Sequence, residues 1–330
     1  MPDKVGVVGT YMWTRRLAVS LERHTGVTCT PISEIRIGDV WRLAGILMVK
    51  TTFRVGFRPG QLRPRAILLD IMCLFYLFLG KQLVFYWTGS DVPRTARLLG
   101  ERGGVSQIWS VPVTKFLLRR SQHCVAAPWL ADELRDMGYL AESFPFPTPT
   151  ERFEGARDEK VCWPDMFTVL TYVPDHNHTN YCGEEILDLA KRMPDVAFRV
   201  MGGEGRWCSK PPENLTFLGW TDSLKEYQRC IVVLRAVRHD ALGGTVREAL
   251  LCRRYVLYTY PHDYTELLPH PDQCDDFVAE VEKRLEGLRL MFSTGELSPN
   301  HAGQYWVIQN LSEKVLAQRL AKRWIKDADA

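Results

Sequence analysis

Short apolar runs alternate with helix-patterned stretches along nearly the whole chain. This alternation restricts the fold more than any other feature, because strands joined by crossover helices build parallel sheets covered on both faces. The first run, Lys4–Val8, is β-branched and ends at Gly9 before Trp13–His24, where Trp13, Leu17 and Leu21 recur at i, i+4 spacing. Gly45–Val49, Gln82–Trp87 and His123–Ala126 are further strand-like runs. Phe144–Lys160, FPFPTPTERFEGARDEK, interrupts the pattern with proline and charge and reads as a linker.

Beyond it the alternation restarts with the strand Met166–Tyr172, the helix Gly183–Lys191 and the strand Val196–Met201. The strand Leu215–Leu218, the helix Leu224–Arg229, the strand Ile231–Leu234, the helix Gly244–Leu251 and the strand Tyr255–Tyr260 follow. At 330 residues the chain is longer than one hydrophobic core usually supports. The expectation is therefore an α/β protein of two doubly wound domains, residues 1–145 and 146–304. Tyr305–Lys326 carries Val307, Ile308, Leu311, Val315, Leu316 and Leu320 in near-heptad order. It reads as one helix, the last part of residues 305–330, packing back towards the first domain. In such sheets ligands bind beyond the carboxyl ends of strands where the crossover direction switches, so chemistry is expected in strand-to-helix loops and in a central cleft between the domains.

Composition matters here for what it excludes. With 46% hydrophobic and 25% charged residues the chain is neither disordered nor a multi-span membrane protein. Nine cysteines with no C-x-x-C pair, behind a start that runs straight into a strand, lead to the expectation of a reduced, cytoplasmic setting. The net charge is only +3 and the basic residues are spread evenly, so no nucleic-acid partner is expected. The longest apolar run, Ala66–Gly80, contains Asp70 and is too short to cross a bilayer of about 30 Å. It follows Arg54, Arg58, Arg63 and Arg65 with no acid between them. Two readings stand for residues 54–80: a core helix behind a basic loop, or a contact with the membrane surface.

The stretch with the most chemistry is Arg235–Leu251, RAVRHDALGGTVREALL, directly after the apolar strand IVVL. Two glycines before a helix let backbone amides approach an anion, and the helix start adds partial positive charge. Gly243, Gly244 and Thr245 thus form a candidate phosphate seat. Asp240 stands on the loop before it and Glu248 about one turn into the helix, two carboxylates able to accept bonds from vicinal hydroxyls. The competing readings are an N-cap for Asp240 and a solvated helix carboxylate for Glu248.

Asp240, seven intervening residues, then Glu248–Ala249 resembles the signature of the family-4-type glycosyltransferases, which carry Glu, seven residues and Glu-Ala in a strand, loop and helix. Here the first acid is Asp, and Arg253–Arg254–Tyr255 stands where the family has Gly-x-Pro. PDVAFRVMGGEG (Pro194–Gly205) is similar to the family's strand ending in a glycine-rich turn, and ENLTFLGW (Glu213–Trp220) to its Asn-x-x-Phe-x-Gly element. APWLADELRDMG (Ala127–Gly138) and Gly89–Ser90–Asp91 match elements of the first half, so the resemblance covers roughly residues 82 to 260.

The resemblance implies the GT-B fold, two Rossmann-like domains facing a cleft, and transfer of a hexose from a nucleoside-diphosphate sugar. It assigns Glu248 to the ribose and Asp240 to the donor sugar, with Gly243, Gly244 and Thr245 on the distal phosphate and Gly202 and Gly203 letting the donor come close. The family's phosphate-binding Lys is absent from Pro174–Glu184, which leaves Arg235 and Arg238, with Arg206 behind them, as candidate cations for the leaving group. Asp91 is the candidate catalytic carboxylate of the first domain, with Gly9 and Thr10 lining its acceptor side. No metal or other cofactor is expected; His176 and His178 lack further ligands at zinc spacing. The acceptor is a glycan, or a lipid-linked glycan in surface polysaccharide synthesis. A nucleotide-sugar 2-epimerase on the same fold and a partner subunit without turnover are the two alternatives.

Overall fold

The structure is a computed structural model that describes residues 3–9, 11–32, 43–50, 64–100, 110–147, 151–154 and 162–325. Thr10 and residues 54–63 of the basic segment lie outside the described residues. The chain divides into two compact units, one of Met1–Pro149 with Ser312–Ala330, the other of Thr150–Leu311.

The first unit contains β1 (Asp3–Val8), α1 (Tyr11–Thr25), β2 (Cys29–Ile32), β3 (Leu43–Lys50), α2 (Pro64–Phe78) and β4 (Gln82–Trp87). It continues through α3 (Asp91–Gly100), α4 (Ser110–Arg120), β5 (Gln122–Val125), α5 (Pro128–Asp136) and β6 (Glu142–Ser143). The sheet runs β2-β1-β3-β4-β5-β6, every pair parallel. Residues Leu83 to Trp87 of central β4 are all buried, as expected where helices cover both faces. Crossover direction reverses between β1 and β3, and Gly9 follows β1 there, buried, its amide donating to Ile32 O at 3.2 Å.

The second unit contains α6 (Glu151–Glu154), β7 (Thr168–Tyr172), α7 (Gly183–Arg192), β8 (Ala197–Met201), β9 (Leu215–Gly219) and α8 (Ser223–Gln228). After these come β10 (Val232–Arg235), α9 (Gly244–Leu251), β11 (Tyr255–Tyr258), β12 (Glu266–Leu267), α10 (Phe277–Ser293) and α11 (His301–Leu311). Its parallel sheet runs β12-β11-β10-β7-β8-β9, a doubly wound order whose switch lies between β7 and β10. Val169, Val232, Leu234 and Leu257 of the central strands pack with Ile186 and Leu189 of α7 and Val281 and Leu285 of α10 into one core. Each such side chain contributes roughly 1.5–3 kcal/mol by leaving water.

The single helix expected over Tyr305–Lys326 is two helices. Ser312 stops α11 and caps α12 (Glu313–Trp324), its hydroxyl accepting from Val315 N at 3.4 Å. The near-heptad apolar spacing runs across this break, which hides it from periodicity alone. α11 belongs to the second unit, while α12 packs on α1 in the first. There Trp324 is buried beside Phe144, and Arg323 forks onto Glu142 with its Nη2 2.5 Å from Oε1.

Candidate functional site

The switch between β7 and β10 places two loops side by side, the one after β7 (residues 173–182) and the one after β10 (residues 236–243). Asn180 joins them: its Nδ2 donates to His239 O at 3.0 Å and its Oδ1 accepts from His239 N at 3.1 Å. Thr259 exchanges bonds with both the amide and the carbonyl of Val237, and the Tyr260 hydroxyl donates to Arg238 O at 2.8 Å. The loop that leads into α9 is therefore pinned at several points. Leu242 takes a left-handed conformation, φ 52°, to turn the chain into the helix.

Beneath this loop lies a buried ion pair. Arg235, at the last position of β10, donates through Nε to Asp240 Oδ2 at 2.9 Å and through Nη2 to Oδ1 at 2.8 Å. Asp240 also accepts from the Tyr258 hydroxyl at 2.9 Å and from the Ala241 amide at 2.9 Å. Those four bonds fill the acceptor capacity of a carboxylate. Burial by itself raises the Asp240 carboxyl, but the Arg235 charge and these donors outweigh it and hold the group below the usual carboxylate range. Burial likewise works against the Arg235 cation, and Asp240 more than offsets it, so the guanidinium stays charged. Tyr181 and Tyr172 cover that guanidinium, their ring centres 4.8 and 5.9 Å from its carbon. A Cβ at position 243 would sit 2.7 Å from Arg235 Nη2, so only glycine fits above the pair.

Gly243 and Gly244 then open α9, which has no side-chain cap. The Thr245 hydroxyl oxygen in its first turn is buried without a hydrogen-bond partner. Glu248, one turn further, is half-buried and accepts from the Tyr227 hydroxyl through Oε2 at 2.9 Å. Its Oε1 lies on the side of the helix start, 3.2 Å from where a Cβ of residue 244 would be. Burial foremost, and then the Glu248 charge, push the Tyr227 phenol well above its ordinary value, so it remains a donor. The site thus offers an uncapped helix start with one carboxylate held beside it.

The other expected residues have local partners. Arg238 is engaged by Glu185, by Asp272 at 2.8 Å and by the Thr179 carbonyl. Arg206, exposed, pairs with Glu204 at 2.8 Å. Gly202, at φ 90°, would press a Cβ to 2.3 Å from the Tyr172 ring, and Gly203 to 2.7 Å from Val173 O. The turn they form wraps Asp175, which accepts from the amides of Glu204, Gly205 and Arg206 at 2.9 to 3.1 Å. Those amides, led by that of Glu204, hold its carboxyl below the usual range. His178 stacks on Trp207 with centroids 4.8 Å apart. Among the described residues no cluster of three or more His, Cys, Asp or Glu is placed to hold a metal ion. In the first unit Asp91 is buried at the start of α3, and both its oxygens accept from Thr88 N at 3.0 Å.

Sequence reasoning missed Tyr227, Tyr258, Tyr181, Asn180, Asp175 and Trp220. One was within reach: Arg235 and Tyr258 are register partners on β10 and β11, so a strand ending in Arg beside a strand ending in Tyr points to a shared acid. Trp220 follows β9, is 82% exposed, and meets Tyr172 at a centroid distance of 6.2 Å.

No protein-family model matches the sequence, and none of the curated proteins does. Solved structures do match in fold. HepE from Anabaena, in complex with UDP and glucose, superposes with a TM-score of 0.63 at 10% identity over 97% of this chain and 98% of that one. Sucrose-phosphate synthase from Thermosynechococcus elongatus gives 0.57 at 12% identity, with the same coverage. The pneumococcal O-GlcNAc transferase GtfA, in complex with UDP and GlcNAc, gives 0.53 at 10% identity over 86% of this chain, which spans 56% of that protein's length. The fold is that of the GT-B glycosyltransferases, with two six-stranded parallel sheets, each flanked by helices.

Proposed function

We propose that the protein is a glycosyltransferase that moves a sugar from a nucleoside diphosphate to a glycan acceptor. The observation that carries the reading is the uncapped start of α9 at the β7/β10 switch, with Gly243 and Gly244 leaving its amides approachable and Glu248 fixed beside them by Tyr227. In this proposal the amides of Gly243, Gly244 and Thr245 take the distal phosphate and the helix dipole, about half a positive charge, meets the charge that grows on the leaving group. Glu248 receives the ribose hydroxyls. Exposed Trp220 offers a face on which a base can stack.

Asp240, Arg235 and Arg238 enter as the scaffold of the loop, because their charged groups already bond to one another and to neighbours. Gly202 and Gly203 give room at the end of β8, and Asp91 keeps its own turn. The acceptor is proposed to lie on residues 1–145, near Gly9 and Thr10, since Gly9 leaves β1 at the switch of that sheet. UDP sugars are the first donors to assay, because the fold neighbours HepE and GtfA were solved with UDP. A lipid-linked glycan in surface polysaccharide synthesis, at the inner face of the membrane, is the finer part of the proposal.

The test is thermal denaturation with nucleoside diphosphates and their sugars, followed by product analysis. A ligand at 100 times its dissociation constant adds about 2.7 kcal/mol of stability. Turnover of donor alone into a second nucleotide sugar identifies an epimerase and overturns the transferase reading. Binding without turnover of any donor identifies a subunit that has lost catalysis.

A further inference from the structure

In the first unit, α2 and α4 pack side by side and leave a groove of about 730 Å³ open to solvent. Ile71, Leu74 and Phe78 of α2 and Phe116 of α4 line it, together with Lys81 and Arg120. Phe78 is 85% exposed, and Ile71 and Phe116 are each about half exposed, so the apolar side chains project outward. A patch of this kind on a folded chain marks a contact site.

Among the described residues of α2, α4 and the turn after α2, the solvent-facing charge has one sign. Lys115, Arg119 and Arg120 are exposed on α4, and Lys81 follows α2. α4 carries no acid, and the single acid of α2, Asp70, is buried. The Arg120 guanidinium sits 5.9 Å from the Phe116 ring centre, which keeps cation and aromatic on one surface. Among the described residues no helix is long and apolar enough to cross a bilayer, so a membrane contact here lies in the interface plane. A second copy of the chain fits less well: a two-fold contact through this groove would set Lys81 and Arg120 against their own like.

We propose that the α2/α4 face is a docking surface for an anionic lipid bilayer, with Phe78, Ile71 and Phe116 entering the headgroup boundary and Lys81, Lys115, Arg119 and Arg120 meeting lipid phosphates. The inference does not depend on the donor site of the second unit.

The experiment is flotation of the full chain with vesicles of phosphatidylcholine alone and of phosphatidylcholine mixed with phosphatidylglycerol. Binding to the anionic vesicles at low salt, released as salt is raised and absent on neutral vesicles, is the expected result. Each basic residue at such a surface is worth about fivefold in partitioning, so Lys81→Glu with Arg120→Glu lowers it by at least about twentyfold. Phe78→Ser with Phe116→Ser also lowers it, through lost insertion. Phe78, Phe116 and Arg120 are exposed and Lys81 is half-buried, its ammonium 5.2 Å from the Tyr76 ring centre, so melting temperature and nucleotide binding stay close to wild-type values; that comparison separates failure of this proposal from failure of the donor-site reading. No retention on anionic vesicles overturns the proposal, as does equal retention on neutral ones. So does a stable dimer in solution that Phe78→Ser dissociates.

Discussion

Replacing Asp240 with alanine separates a scaffold role from a ligand role. The change leaves the Arg235 guanidinium, 4% exposed, without its counter-charge and strands the Tyr258 hydroxyl and the Ala241 amide. Removing one partner of a buried pair costs about 3–5 kcal/mol. For a unit of this size that is a fall of roughly 6–20 °C in melting temperature. Replacing both partners, Arg235→Met with Asp240→Leu, removes the stranded charge and lets Tyr172 and Tyr181 pack on an apolar chain, so most of the loss returns. Urea denaturation followed by tryptophan fluorescence reads both variants. The reasoning is refuted if Asp240→Ala unfolds like the wild type yet no longer binds nucleotide sugar, or if the double variant is less stable than the single one.

Gly243→Ala forces a methyl against a guanidinium that cannot move away, and about 2 kcal/mol of stability is lost in chemical denaturation. Tyr227→Phe removes the donor that steadies Glu248; binding of a nucleoside diphosphate weakens about tenfold by calorimetric titration, with a smaller effect on folding. His123 makes stability acid-sensitive. Its Nδ1 accepts from the Trp87 indole at 3.2 Å and its Nε2 donates to Leu118 O at 2.9 Å, so the neutral ring fits. Burial, opposed by that carbonyl, lowers its pKa to about 4. Below the unfolded value of about 6.5 the unfolded chain takes up a proton that the folded one refuses, so stability is intact above pH 6.5 and falls by up to roughly 3 kcal/mol towards pH 4. Melting curves across that range are flatter in His123→Gln.

The parallel strands of both sheets were legible because their burial on two faces makes them continuous apolar runs; Gln82–Trp87 is expected and observed at the same bounds. α9 also begins and ends where the glycine pair and the apolar spacing put it. β2 escaped because Cys29–Ile32 carries a proline and lies at an edge, where a missing amide does no harm. β6 and β12 are two-residue edges with no pattern to detect. In the site, glycines and acids could be found because spacing along one loop fixes them. Three of the four bonds that fill Asp240 come from the ends of two adjacent strands, and the one that steadies Glu248 comes from α8. Arg253 shows how the chain accommodates its departure from Gly-x-Pro: it takes the left-handed conformation after α9, φ 59°, that glycine would adopt more easily.

The central claim, that the start of α9 seats a diphosphate, is tested most directly by calorimetric titration of UDP into the wild type and Thr245→Asp. An acid in the first turn suits the helix dipole by about 0.3–1 kcal/mol, which offsets part of the cost of a carboxylate where the Thr245 hydroxyl is buried, and melting temperature checks that the variant folds. It also places a negative charge at the phosphate seat. The account predicts that the wild type binds and that the folded variant loses at least about tenfold in affinity. Undiminished binding by a folded Thr245→Asp protein would contradict it.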